Sequence, residues 1–236
     1  LARMSADLRR SDSSLRNDQL RDCPLRISRQ NFHMLSRQGI LCVVSGPSGS
    51  GKTTLCHRMA VSSDSIDYSV SCTTRAPREG EVDGADYHFL SADDFRAKIA
   101  DGELLEYAEV HGKDRFYGTL KAPVVEKLRR GIDVVMDLDV QGAEQLRQID
   151  DPFIRASLVD LFILPPSVEE LIQRVTGRGE MAEEELQRRM RNAEEEMQHW
   201  QKYQYTIVSG SREEDFARFE NILAGERDRS SRLTDS

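Results

Sequence analysis

Ile40-Leu41-Cys42-Val43-Val44-Ser45-Gly46-Pro47-Ser48-Gly49-Ser50-Gly51-Lys52-Thr53-Thr54 carries most of what the sequence says about architecture. Its first six residues are apolar or small and strand-length, its middle is a glycine-rich turn, and Lys52–Ala60 has helical spacing. Gly46 to Thr53 fits G-x-x-x-x-G-K-[ST] in the setting that motif needs, directly after a strand and opening a helix. Glycines let the backbone curl until successive N–H groups face inward, and the helix start adds its positive end. Together they make a cradle for phosphate. Lys52 supplies a mobile charge for β- and γ-phosphates, and Thr53 a hydroxyl for Mg²⁺. Asp137, ending the apolar run Val134–Met136, is placed to act on the Mg²⁺ shell. Gly46, Pro47, Ser48, Gly49, Ser50, Gly51, Lys52, Thr53 and Thr54 are therefore the expected nucleoside triphosphate contacts.

Outward from this stretch, strands and helices alternate. Asp133–Asp137 and Leu158–Leu164 repeat the buried-strand pattern, each followed by a helical segment (141–148 and 167–176). Tyr205–Val208 precedes a closing helix around Glu213–Leu223. Continuous apolar strands between helices predict an α/β fold, a parallel sheet covered on both faces. Ser71–Thr119 and Arg178–Arg191 interrupt the alternation and read as insertions. The core is expected over 39–70, 120–177 and 192–224, with a disordered tail over 225–236. Residues 1–38 hold eight Arg and four Asp with few apolar residues. This segment is expected to be a disordered leader, dispensable or artefactual, with Met34 as the natural start.

The 236 residues are 38% hydrophobic and 31% charged, enough for one medium-sized domain with subdomains. No apolar run approaches eighteen residues, so no membrane partner is expected. A net charge of −8 argues against nucleic-acid binding through the phosphate backbone. Cys23, Cys42, Cys56 and Cys72 form no C-x-x-C pair, which indicates neither zinc nor a disulfide framework and points to the cytoplasm. His33, His57, His88, His111 and His199 show no metal-ligand spacing.

The insertion over 71–119 must say where the phosphoryl group goes. Arg75 and Arg78 sit three apart around Pro77, followed by Glu81. Guanidinium forks grip phosphate bidentately, and Glu81 is placed to orient one of them. Tyr87 and Tyr117 offer hydroxyls to the same anion. Glu106, Thr119 and Asp139 are acceptors suited to a base presenting a ring N–H beside an exocyclic NH₂, which is guanine.

With these residues in view, the sequence resembles the guanylate kinases from about Gly39 to Val208. The markers are Ser-Gly-Pro-Ser-Gly-Ser-Gly-Lys-Thr-Thr at 45–54, Ser-Cys-Thr-Thr-Arg-Ala-Pro-Arg-Glu-Gly-Glu at 71–81, Gly-Ala-Asp-Tyr at 84–87, Phe-Tyr-Gly-Thr at 116–119, Asp-Leu-Asp-Val-Gln-Gly at 137–142, Pro-Pro-Ser at 165–167 and Gly-Arg-Gly at 177–179. The resemblance implies a P-loop nucleoside-monophosphate kinase fold with a GMP-binding region at about 71–119 and a small lid at about 178–191. It also implies transfer of the γ-phosphoryl of ATP to GMP with Mg²⁺. Arg75, Arg78, Tyr87 and Tyr117 would hold the GMP phosphate, supported by Glu81; Ser71, Glu106, Thr119 and Asp139 would read guanine. Arg174, Arg178 and Arg189 match lid arginines that act with Lys52 and Arg75 on the transferring group.

The chain departs from the family pattern at three places. Lys113-Asp114-Arg115-Phe116 stands before Tyr117 where members usually carry two residues. Ser209-Gly210-Ser211 follows the last strand where Asn-Asp-Asp is common, the Asn helping to seat adenine. Glu180-Met181-Ala182 varies the lid. Two other readings compete. A non-catalytic guanylate-kinase-like module would use the Arg–Tyr site for phosphopeptides, and the intact cradle disfavours it. A ribose bisphosphate kinase would not need the guanine-reading acids. The sequence leaves monomer against homo-oligomer open.

Overall fold

The computed structural model describes residues 35–110, 114–177 and 182–235. In chain order its elements are β1 (Leu35–Arg37), β2 (Leu41–Ser45), α1 (Lys52–Ala60), β3 (Ile66–Tyr68), β4 (Cys72–Thr73), β5 (His88–Phe89), α2 (Ala92–Ala100), β6 (Leu104–Glu109), β7 (Phe116–Leu120), α3 (Lys121–Arg129), β8 (Asp133–Asp137), α4 (Val140–Gln148), α5 (Pro152–Ser157), β9 (Leu158–Leu164), α6 (Val168–Thr176), α7 (Glu183–Met197), β10 (Tyr205–Val208), α8 (Arg212–Arg227) and β11 (Leu233–Asp235).

Every residue of β2 is buried. Side chains alternate across a strand, so Cys42 and Val44 enter one hydrophobic cluster with α1 and α8, while Leu41 and Val43 enter another with α3 and α4. That two-faced burial places β2 at the centre of a five-stranded parallel sheet, in the order β10-β9-β2-β8-β3. A central strand that is apolar on both faces is what the sequence predicts, and the doubly covered α/β core is what forms.

The 71–119 insertion builds a second sheet, β5-β4-β7-β6, with antiparallel pairing at β4–β7 and β6–β7. Phe95 of α2 is fully buried and stacks on Phe116, 5.3 Å between ring centroids. Gln145 of α4 ties this sheet to the core. Its amide accepts from Tyr107 N at 3.1 Å and donates to Tyr107 O at 2.9 Å.

Both ends of the described chain differ from the sequence expectation. The tail expected to be disordered over 225–236 instead continues α8 to Arg227, turns through a short 3₁₀ segment and pairs β11 antiparallel to β1. Leu35–Arg37, assigned by sequence to the leader, is that partner strand, and Gln38 donates to the Phe153 carbonyl at 2.9 Å; residues 1–34 of the leader lie outside the described residues. The cause is a buried polar network that composition hides. Arg232 donates to Glu226 Oε2 and to the Ala156 carbonyl, and both ionic side chains are almost wholly buried. Asp133, fully buried, accepts from Arg37, from Arg227 Nε at 2.7 Å and from Ile40 N at 2.9 Å. Part of the lid range also belongs to a longer element, since 183–191 opens α7, which runs unbroken to Met197.

Removing one partner of a buried ionic network leaves the others uncompensated. Asp133→Ala should therefore lower unfolding free energy by about 2–4 kcal/mol in urea titrations; a loss below about 0.5 kcal/mol would show that the network is ornamental.

Candidate active site

The cradle is built by the turn from β2 into α1. Gly46 and Gly49 have φ of 144° and 91°, conformations L side chains rarely adopt. A Cβ on Gly46 would also lie 2.4 Å from the Ile163 carbonyl oxygen. Gly51 caps α1 with no side-chain hydrogen bond and no acidic residue follows in the first turn, so the helix's first N–H groups remain available to an anion. Ser50 Oγ is buried with no hydrogen-bond partner among the described residues, a further donor of the kind a phosphate oxygen would satisfy.

Lys52 Nζ donates to the Gly46 and Pro47 carbonyls at 2.6 and 3.1 Å. Burial holds its pKa below the ordinary lysine value, opposed by Glu196 and Asp137. Thr53 Oγ1 donates to Asp137 Oδ2 at 2.6 Å, and the Tyr68 hydroxyl donates to Asp137 Oδ1. Hydroxyl and carboxylate oxygens of this kind match what Mg²⁺ takes from a protein. Among the described residues no group of three or more His, Cys, Asp or Glu could hold an ion; two protein oxygens plus substrate oxygens are the fitting arrangement. Tyr68 was not legible as part of the site. It sits at the end of an edge strand and reads as packing.

The residues expected on the acceptor side gather in the second sheet. Arg75 meets Glu81 bidentately, at 2.9 and 2.8 Å, and Glu81 also accepts from the Arg78 backbone N–H at 2.7 Å. The Arg75 hydrogen bonds, then that N–H, pull the Glu81 carboxyl down to about 2, while Glu81 and then Tyr117 raise the Arg75 pKa. The guanidinium lies 5.3 Å from the Tyr87 ring centroid, and Tyr87 meets Tyr117 edge-on at 6.1 Å. Arg75, Glu81, Tyr87 and Tyr117 are thus brought together. The Arg78 side chain is exposed; its backbone N–H bonds Glu81 and its charge also favours the Glu81 carboxylate.

The described residues before Tyr117 are tied to the end of β4. Thr74 Oγ1 donates to the Asp114 carbonyl at 2.6 Å and accepts from Phe116 N at 2.8 Å. These bonds deliver Tyr117 into register with Thr73 and Ala108. Lys113 lies outside the described residues.

Glu106 and Thr119 are cross-strand partners, and Thr119 Oγ1 donates to Glu106 Oε1 at 2.7 Å. Glu106 is 7% exposed. Burial pushes its carboxyl up to about 7, against the Thr119 hydrogen bond, with the charge of Asp139 adding to the rise. Asp139 caps α4, its Oδ1 accepting from Gln141 N and Gly142 N at 3.0 and 2.8 Å. A Cβ on Gly142 would come within 3.2 Å of Glu106 Oε2 and 3.5 Å of Asp139 Oδ1, so the two acids converge over this glycine. Ser71 accepts from His88 N through its carbonyl at the edge of the same sheet.

A cavity of about 390 Å³ opens beside the cradle, lined by Gly49, Gly51, Thr54, Arg174, Ser209 and Asp215 among others. Arg174 is placed there. Arg189 lies on α7, paired with Glu185 at 2.8 Å and turned into a surface ion pair. Arg178 lies outside the described residues. Ser209 stands where the family's adenine-seating Asn is common, and Asp215 joins it in the cavity with no signal in the sequence.

The family model described as guanylate kinase matches residues 38–226. The chain is 46% identical over 193 residues to a guanylate kinase of Paramagnetospirillum magneticum, covering 82% of this chain and 87% of that protein. It is 42% identical over 199 residues to a guanylate kinase of Clostridioides difficile, covering 84% and 94%. Among solved structures it is similar to guanylate kinase from Anaplasma phagocytophilum, with 33% identity, a TM-score of 0.66 and coverage of 85% and 93%.

A carboxyl held near 7 when folded and near 4.5 when unfolded binds more protons in the native state between those values, so its contribution to stability falls as pH rises through them. Glu106→Gln should raise unfolding free energy above pH 7 by about 1–3 kcal/mol, a gain that disappears towards pH 4.5. No gain, or one independent of pH, would contradict that burial penalty.

Proposed function

The chain belongs to the guanylate kinase family, and we propose that it transfers the γ-phosphoryl of ATP to GMP, giving GDP and ADP. The observation that carries this reading is the joint presence of a phosphate cradle with Lys52, Thr53 and Asp137 and a convergent acid pair, buried Glu106 and exposed Asp139, of the kind guanine's N–H and NH₂ groups require. A binding-only module would need the second without the first.

ATP takes the cradle through the residues of 46–54, and GMP takes the inserted sheet. Arg75, Tyr87 and Tyr117 hold its phosphate, with Arg78 closing on it and Glu81 fixing the Arg75 fork. Glu106, Thr119, Asp139 and Ser71 read its base. An oxygen of the GMP phosphate attacks the γ-phosphorus in line, and the bond to the β–γ bridging oxygen breaks, leaving ADP. The attacking oxygen is already anionic, so no strong base is needed. Positioning and charge neutralisation supply the rate. Lys52 leaves the Gly46 and Pro47 carbonyls for the triphosphate, the stronger acceptor. Mg²⁺, held by Thr53 and Asp137 directly or through water, would neutralise developing charge. Arg174 and Arg178 bring further positive charge from the lid side, joined by Arg189 once it leaves its Glu185 pair, and a closing movement of the lid, whose 183–191 part opens α7, excludes water that would otherwise hydrolyse ATP.

No helix of the described residues is long and apolar enough to cross a membrane. The cytoplasmic place belongs to the proposal and rests on cysteine usage, four residues with no C-x-x-C pair. Cys42, Cys56 and Cys72 are buried free thiols.

A coupled ADP-release assay with ATP and Mg²⁺ tests the reading, offering GMP, AMP, CMP and UMP as acceptors. GMP should be used at least about a hundredfold better than AMP by kcat/KM, and equal use of all four, or none, would reject it. Lys52→Ala should cost about a thousandfold in kcat with the fold intact, and substantial residual turnover would remove Lys52 from the chemistry. The KM for GMP should fall as pH rises through about 7, because Glu106 must be ionised to accept from guanine. Glu106→Gln should flatten that profile and weaken preference for GMP over AMP.

A further inference from the structure

The loop after β10 lacks the Asn-Asp-Asp common in the family, yet it is not an empty substitute. Ser209 and Asp215 are 3% and 8% exposed, and both line the cavity beside the cradle. Ser209 Oγ lies 2.7 Å from Asp215 Oδ2 and 3.0 Å from Arg174 Nη1. Asp215 Oδ1 accepts from Gly210 N at 2.9 Å, and Arg174 Nη2 donates to Glu170. A carboxylate only accepts and a guanidinium only donates. The single Ser209 proton must therefore point to Asp215, which leaves an oxygen lone pair facing Arg174.

We propose that Asp215 is a positioning residue for the ATP side: through the Ser209 hydroxyl it fixes the Arg174 guanidinium beside the phosphate cradle. The proposal rests on the reading of this cavity as the donor site. The polarity of the relay is its distinguishing feature. An amide at 215 would present N–H to Ser209 and turn the hydroxyl proton towards Arg174, setting two donors against each other. Deleting the hydroxyl merely leaves Arg174 with Glu170. The amide at 215 should thus be the worse change, and should cost nothing once the hydroxyl is gone.

Asp215→Asn should raise both the KM and the calorimetric Kd for ATP–Mg²⁺ about tenfold, with the KM for GMP within twofold. Ser209→Ala should raise the ATP values about threefold, and the double variant should match Ser209→Ala rather than multiply the two effects. Unchanged ATP binding in Asp215→Asn, multiplicative effects in the double variant, or equal rises in both KM values with a lowered Tm would overturn the relay. Should Asp215→Asn fail to fold, ATP binding by Ser209→Ala decides alone, and an unchanged Kd would overturn it. Failure of the wild-type protein to phosphorylate GMP would count against the reaction assigned above, while the ATP titrations would still judge the relay.

Discussion

The alignment of two buried parallel strands is the constraint on which the site depends. β2 and β8 pair with Val44 opposite Asp137, so the chain leaves both strands at one edge of the sheet. From β2 it enters the glycine turn and α1; from β8 it passes Asp137 and Asp139 into α4. Ligands in open α/β sheets gather at the carboxyl ends of the strands for this reason. In the proposed function, one strand end serves two sites at once. Asp137 faces the Thr53 hydroxyl, and Asp139, two residues on, converges with Glu106 of the inserted sheet. Coupling between donor and acceptor is thereby a matter of backbone geometry, not of long flexible side chains.

In the proposed function, stability and recognition conflict at Glu106. A carboxyl buried in a sheet and held near 7 is expensive to ionise, and ionisation is what guanine recognition asks for. Bound guanine would repay that cost by donating to the exposed lone pairs, which places part of the binding energy in relief of apo-state desolvation. Arg75 and Glu81 show the opposite arrangement. Their mutual ion pair is satisfied before any ligand arrives, so the fork is preorganised and little side-chain freedom remains to be lost.

Much of this was legible in the sequence because each feature is local. The apolar run at 40–45, the glycine spacing and the placement of Lys52 and Thr53 sit within fifteen residues, and Arg75, Arg78 and Glu81 within seven. Glu106, Thr119 and Asp139 are acceptor types from the residues alone and a guanine-reading set from the family resemblance; the cross-strand register and the α4 cap show how they come together. Ser209, Asp215 and Arg174 were not legible as a group. Asp215 follows Glu213 and Glu214 and reads as one more solvated acid, whereas the helix turns it inward; no spacing rule shows that residue 174 meets residue 209. The tail was misread for a related reason. Arg-Asp-Arg-Ser-Ser-Arg at 227–232 has the composition of disorder, and only the fold reveals that Arg232 is buried on Glu226.

Binding each substrate separately to two neighbouring variants tests the shared strand end most directly. Asp139→Asn keeps an oxygen for the α4 cap but turns an amide towards guanine's donors, while Asp137→Asn removes charge from the Thr53 side alone. Calorimetric titration should show GMP affinity lost at least about tenfold in Asp139→Asn with ATP–Mg²⁺ affinity retained, and the reverse in Asp137→Asn. Loss of both ligands in either variant, or of the same ligand in both, would contradict the division of one strand end between two sites.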